Sequence, residues 1–239
     1  MTDLTTSAPL PAAFRDDGER FPLSWPAIGV LAALFVVLAA FAGTIGTLPG
    51  DLWVTTHLQR LHGQPWRTLW HLGDAFGTSG WVVWIALAGL VATAAMRWWN
   101  DVVLLGAVLL LRAAAFPIKS IVQSPRPASA QAHLVEHADG FGFPSGHTLT
   151  AMALFGTIAV LMVRHMSWPH ARYPAGSIWI LGVGTTGFAR IWSGAHWTSD
   201  VVGSVLLGTV MIAVAAKVQV LATHGLRIGI ADTPWEVRL

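Results

Sequence analysis

The chain has 239 residues, of which 54% are hydrophobic and 11% charged, against about 25% charged in soluble domains. It has no cysteine, which excludes disulfide, thiolate and zinc–sulfur chemistry, and its net charge of +2 is too small and too dispersed to point to nucleic acid. This is the composition of a membrane protein.

Residues 1–25 are expected to form a polar N-terminal tail, with Arg15, Asp16, Asp17, Glu19 and Arg20 close together. The apolar run behind it is too long for a signal-peptide core and lacks a convincing cleavage site, so it reads as an uncleaved first span. Crossing about 30 Å of hydrocarbon takes roughly 20 helical residues. Six runs answer to that length: 26–48, 77–96, 101–122, 147–166, 175–193 and 199–221, the second cut short by Arg97. Tryptophans gather at their ends, Trp25, Trp98, Trp99, Trp168 and Trp197 among them, as interfacial tryptophans do. Between the first two runs, residues 51–72 are amphipathic and broken by Gly63 and Pro65, and are expected to lie along the membrane surface. The histidines of that segment, His57, His62 and His71, are spaced too irregularly for a ligand set. Residues 222–239 form a C-terminal tail. The expected fold is all-α, a polytopic membrane protein in which 26–221 form one domain of six transmembrane helices plus the short interfacial segment.

Counting Lys and Arg orients the chain. With the N-terminus inside, the inner side holds eight: Arg15, Arg20, Arg97, Arg164, Arg172, Lys217, Arg227 and Arg238. The outer side holds five: Arg60, Arg67, Lys119, Arg126 and Arg190. The excess puts both termini in the cytoplasm.

That topology sends the remaining polar groups to one place. Lys119 and Arg126 leave the outer end of the third span, Ser145, Gly146 and His147 open the fourth, and Arg190, His196 and Asp200 bridge the fifth and sixth. Two planar arginine forks, a lysine and the free N–H groups of a helix start suit phosphate oxygens. Asp200 is the one carboxylate in these motifs, so the cluster looks underneutralised and in need of an anionic ligand. His196 and Asp200 stand four apart and share a helical face, so the carboxylate can fix one ring nitrogen and leave the other as a nucleophile. His147, from another helix, can protonate a leaving oxygen. The cations are side chains, so no metal or other cofactor is required for phosphoryl transfer.

At these residues the chain resembles the type 2 phosphatidic acid phosphatase family. Lys119 through Arg126-Pro127 matches Lys-x6-Arg-Pro, residues 144–147 match Pro-Ser-Gly-His, and Arg190, His196 and Asp200 match Ser-Arg-x5-His-x3-Asp, with Ala189 where serine is usual. The resemblance covers about half the chain. It implies a metal-independent phosphatase of lipid phosphates, among them phosphatidic acid, phosphatidylglycerol phosphate, undecaprenyl pyrophosphate and lipid A phosphates. It further implies a multi-pass plasma-membrane protein with the site at the outer face. By the same resemblance His196 takes the phosphoryl group, His147 protonates the leaving group, and Lys119, Arg126, Ser145, Gly146 and Arg190 hold the phosphate. The missing serine removes one possible contact without changing the reaction class. A phosphotransferase using the same site is the alternative, and an anion transporter fits less well because the charges gather at one face.

Three further features need placing. Arg112 lies seven residues before Lys119, in mid-span, where an arginine costs about 2.5–3.5 kcal/mol; it either lines the lower pocket or pairs with a carboxylate such as Asp74. HLVEH at 133–137 imitates a zinc motif but sits in a short loop and reads as a polar flap beside the site. GVGTTG at 182–187 imitates a dinucleotide loop, yet it interrupts an apolar span and reads, with Ser204 and Gly208, as close helix packing.

Overall fold

The computed structural model describes residues 23–166 and 170–231. Residues 1–22 and 232–239 of the two expected tails, and Trp168, lie outside the described residues. Helix α1 spans Trp25–Ile45, opened by Ser24, whose side chain accepts from the Ala27 N–H at 3.4 Å, and closed at Gly46. Then follow α2 (Asp51–Leu58), α3 (Gln64–Gly77), α4 (Ser79–Ala95), α5 (Trp99–Ala114) and α6 (Ile118–Val122). Three long helices complete the fold: α7 (Gly146–His165), α8 (Arg172–Trp192) and α9 (Thr198–Ala231). Pro117 separates α5 from α6, as an imide without an N–H should. The last helix runs on beyond the apolar stretch that ends near Ala222.

Among the described residues, four stretches are long and apolar enough to cross a membrane: α1, Trp99–Val122 (α5 with α6), α7, and Thr198–Ala222 of α9. The pair α3–α4, bent by 51°, makes a fifth if it is one broken span. The expectation of six spans is therefore not met on length and composition. The run at 175–193 falls short because α8 carries Arg172, Thr185, Thr186 and Arg190 along with four glycines. The run at 77–96 is a helix of 17 residues and reaches spanning length only together with α3.

The segment 51–72 is also more than a surface strip. Asp51 and Thr55 are buried. The Asp51 carboxylate accepts from the Ser199 N–H and hydroxyl, both at 2.8 Å, and so caps the start of α9 from a distant part of the chain. Helix α3 packs against α8 at a crossing that only glycine permits, since a Cβ at Gly73 would stand 2.3 Å from the Thr185 carbonyl oxygen. This close approach brings the end of α3 to the site.

Between the helices the core is built from small and branched side chains. Leu104 and Val108 of α5 meet Ala215 and Ala216 of α9, and Ala151 and Met152 of α7 meet Val183 of α8 and Ile212 of α9. Small residues let helix backbones approach where lipid offers no hydrophobic incentive to associate. Gly182 against the Phe155 ring and Gly208 against Met152 serve the same purpose, as expected for the GVGTTG stretch. Large apolar side chains such as Val36, Trp84, Leu110 and Leu181 point outward instead. At the end of the bundle remote from the site, buried Asp101 of α5 accepts from Arg164 at 3.0 Å and pairs with His165 at 2.6 Å, which ties α5 to α7.

Candidate active site

The end of α5, helix α6 and the loop after it, the start of α7, and the turn between α8 and α9 line a cavity of about 240 Å³. Arg112, Lys119, Arg126, Gly146, His147 and His196 line it. Residues as far apart in the chain as Lys119 and His196 thus reach one place, as the expected topology implies.

The geometry is tightest around His196. Gly194, in the left-handed region at φ 72°, turns the chain out of α8, and the Ala195 and His196 N–H groups then donate to the Arg190 carbonyl at 3.1 and 3.0 Å. That turn leaves His196 buried, one turn ahead of Asp200. The His196 Nδ1 lies 3.1 Å from Asp200 Oδ2, which also accepts from the Trp197 N–H at 3.0 Å. On the other side of the ring, Arg126 Nη1 is 3.0 Å from Nε2. A guanidinium only donates, so Nε2 must accept, and the proton of the neutral ring sits on Nδ1, facing the carboxylate. Burial, reinforced by the charges of Arg126, Lys119 and Arg190, holds the His196 pKa well below its ordinary value. The ring is therefore neutral, with the Nε2 lone pair directed toward the cavity side.

The cations are not bare. Lys119 donates to the Phe141 and Gly142 carbonyls at 2.9 and 3.2 Å, and Arg126 donates to the carbonyls of Gly140 and Ala195 at 3.1 and 2.7 Å. Arg190, 1% exposed, is held by Asp74 through one terminal nitrogen and by Glu136 through the other at 2.6 Å. The expectation of an underneutralised cluster is thus wrong by two carboxylates, neither of which lies in the three phosphate-site motifs. Glu136 comes from HLVEH, which is a polar flap held down by Gln59: the amide donates to the His133 carbonyl at 2.7 Å and accepts from the His133 N–H at 3.0 Å. Among the described residues no three acidic or histidine side chains are gathered to hold a metal, at the flap or elsewhere. Asp74 also stands 3.4 Å from His147 Nε2 and so bridges the histidine and Arg190.

Two expected phosphate ligands do not face the cavity. The Ser145 side chain is fully buried and caps α7, accepting from the Thr148 N–H at 3.4 Å and the Thr148 hydroxyl at 3.1 Å. Arg190 stands behind Asp74, off the cavity wall. Ser204 does more than pack, since its hydroxyl lies 2.9 Å from the Ser145 carbonyl and 2.8 Å from that of Asp200, joining the turn before α7 to α9. Ala189 is fully buried at the α3–α8 crossing, its Cβ 2.7 Å from where a Cβ of Gly73 would stand. Arg112 takes the first of its two alternatives: it lines the cavity and donates to Thr150 Oγ1 at 3.1 Å, while Asp74 serves Arg190. A larger cavity of about 580 Å³ lies beside α3, between His62, His71, His133 and Trp192, and lacks a paired nucleophile and carboxylate.

The chain is similar to several known proteins. A family model described as the PAP2 superfamily matches residues 100–223. Undecaprenyl-diphosphatase BcrC of Bacillus subtilis is 38% identical over 90 residues, which is 36% of this chain and 41% of that protein. Phosphatidylglycerophosphatase B of the same organism is 30% identical over 99 residues, 39% of this chain and 45% of its own length. The aligned region thus spans less than half of each relative. Among solved structures, the first transmembrane PAP2-type phosphatidylglycerolphosphate phosphatase from Bacillus subtilis aligns over 88% of this chain and 98% of its own, with a TM-score of 0.63 and 21% identity. LpxE of Aquifex aeolicus aligns over 72% and 98%, with a TM-score of 0.56 and 22% identity. At those identities the likeness is one of fold, a multi-pass helical membrane protein.

Proposed function

Because the chain belongs to the PAP2 superfamily, we propose that it is a membrane phosphatase hydrolysing a phosphomonoester or diphosphate of a lipid. The observation that carries the reading is the buried His196 ring, with Nδ1 toward Asp200 and Nε2 toward Arg126 at the cavity. In the reaction, Nε2 attacks phosphorus and the bond to the leaving oxygen breaks. His147 gives that oxygen its proton, and the product departs from a phosphohistidine. Water then attacks phosphorus, loses its proton to His147, and frees inorganic phosphate with His196 restored. Asp200 keeps the ring oriented and balances its positive charge while it carries the phosphoryl group.

Lys119, Arg126 and the first N–H groups of α7 around Gly146 bind the phosphate oxygens. Ser145 acts by shaping that helix start, and Arg190 by holding Asp74 beside His147. The orientation follows the Lys and Arg count: both termini in the cytoplasm, the cavity at the outer face of the plasma membrane, and α8 as a sixth span sheltered by α3 and α7. Lipid substrate reaches such a cavity from the side. The named activities of BcrC and phosphatidylglycerophosphatase B bring a prenyl diphosphate and a phosphatidylglycerol phosphate forward as substrates to try first.

The test is phosphate release by purified protein in detergent from a panel of lipid phosphates, with EDTA present and His196→Ala alongside. Release that survives EDTA and disappears in the variant is expected. Release abolished by EDTA, or undiminished in His196→Ala, would mean a different catalyst.

A further inference from the structure

Arg112 is left over by this mechanism. It belongs to none of the three motifs, sits in the middle of a span, and is costly there unless something uses its charge. Its guanidinium donates through Nη2 to Thr150 Oγ1 at 3.1 Å and to the Gly146 carbonyl at 3.4 Å. Its Nε is buried without a hydrogen-bond partner among the described residues. Among the described residues no carboxylate pairs with it; the acidic partners near the site go to Arg190, His147 and His196.

The position of Arg112 gives it a second property. An apolar cavity of about 440 Å³ runs between α4, α5 and α7, lined by side chains such as Val82, Leu109, Ala153 and Leu161. Arg112 and Phe116 line both this cavity and the one that holds His196. A lipid with its terminal phosphate at His196 and its hydrocarbon in the apolar cavity must therefore pass Arg112 with whatever group joins the two. In a lipid diphosphate that group is the inner phosphate; in the monophosphate of the same alcohol it is a methylene.

Charge favours the first. Lys119, Arg126 and Arg112 are three cations with no carboxylate within 4.0 Å among the described residues. A phosphomonoester brings about 1.5 to 2 negative charges near neutral pH. The third cation is matched only by a further anionic group one phosphate closer to the chain.

We propose that Arg112 is a specificity residue that binds the inner phosphate of a lipid diphosphate, with the hydrocarbon chain lying in the α4–α5–α7 cavity. The proposal rests on the phosphatase reading. The bond broken is the one between the outer phosphorus and the bridging oxygen, and that oxygen leaves on the inner phosphate. Arg112 therefore meets both the bound substrate and the charge that grows on the leaving group. His147 supplies the proton, and the organic product is the lipid monophosphate.

The experiment compares kcat/KM for the diphosphate and the monophosphate of one short-chain prenyl alcohol, in wild-type protein and in Arg112→Gln. Wild type is expected to favour the diphosphate. In the variant the diphosphate value should fall roughly ten- to a hundredfold, the worth of a charge-assisted hydrogen bond, and the monophosphate value by less than threefold. Should Arg112→Gln not purify folded, Arg112→Lys reads the same ratio, with a fall of about three- to tenfold because the charge stays and the fork is lost. Equal falls on both substrates, no fall on either, or a wild-type preference for the monophosphate would overturn the proposal while leaving the phosphatase intact. No phosphate released from any lipid by wild type would instead sink the phosphatase reading itself, and this proposal with it.

Discussion

Replacing Asp200 with asparagine isolates the feature on which the mechanism depends most. The carboxylate is fully buried and accepts two hydrogen bonds on one oxygen, from His196 Nδ1 at 3.1 Å and from the Trp197 N–H at 3.0 Å. The bond to Trp197 is the same in the resting enzyme and the transition state, so it cancels from kcat. The bond to His196 does not cancel, because in the proposed mechanism the ring gains positive charge as it takes the phosphoryl group. A hydrogen bond to a charged group is worth about 1.5–3 kcal/mol, which makes the loss of the carboxylate charge roughly a tenfold to hundredfold effect. An amide that turns its NH2 toward Nδ1 would also move the ring proton to Nε2 and block the lone pair. The expected fall in kcat for Asp200→Asn is therefore about 10²–10³, with KM changed little because Asp200 does not line the cavity. Steady-state phosphate release in detergent reads both constants. A kcat within threefold of wild type, or a change confined to KM, would refute the assignment of Asp200 as the residue that orients the nucleophile.

The pH profile of kcat/KM reports the free enzyme. Burial and three nearby cations keep His196 unprotonated as the pH falls through 6.5, so the acid limb due to the nucleophile should lie below that value; a limb at or above 6.5 would contradict the geometry. Gly73→Ala forces a Cβ to within 2.3 Å of the Thr185 carbonyl and should lower stability by about 1–3 kcal/mol, seen as a reduced melting temperature in detergent. Ala189→Ser, which restores the usual motif residue, should change kcat/KM by less than threefold because the side chain faces α3. A tenfold gain would show that the hydroxyl reaches the phosphate after all. Asp51→Ala removes three acceptor contacts, from Leu48, the Ser199 N–H and the Ser199 hydroxyl, and should destabilise by about 1–2 kcal/mol for the lost cap alone, again read by melting.

Local chemistry made some features legible in the sequence. A helix start at Ser145–Gly146 and a His and Asp one turn apart are each dictated by neighbours in the chain, and each stands where the spacing puts it, whereas the break at Pro117 inside the run 101–122 was not anticipated. Residues 182–187 were readable as packing for the same reason: a glycine-rich stretch inside an apolar run has little else to do. What the sequence hid is long-range. Asp74 is a lone acid between the interfacial segment and the next apolar run, and nothing local says that the α3–α8 crossing will carry it to Arg190. Glu136 was masked by its own motif, since HLVEH draws the eye to metal ligands and away from a single carboxylate partner. The count of six is not reached on length and apolarity at α8, where Gly182 and Gly187 face other helices and polar residues interrupt the apolar run. Arg112 had a signal, its cost in mid-membrane, but the signal named no partner.

The two unforeseen carboxylates change the energetic argument for the ligand. A cluster of bare cations would be stabilised by almost any anion, and binding would say little about selectivity. In this fold each expected phosphate-binding cation already has an acceptor: loop carbonyls for Lys119 and Arg126, and Asp74 and Glu136 for Arg190. A phosphate gains only the difference between its own contacts and those it displaces, and it gains most at the neutral carbonyls, where a charged acceptor replaces an uncharged one. On the proposed reading the anion is thus drawn to Lys119 and Arg126, the latter at the His196 Nε2, and away from Arg190, whose carboxylates repel it. Removing the Glu136 charge should therefore let phosphate stray toward Arg190 and bind unproductively. Glu136→Gln is expected to tighten inhibition by inorganic phosphate by several-fold while lowering kcat, and unchanged inhibition would mean that Glu136 only pins the flap.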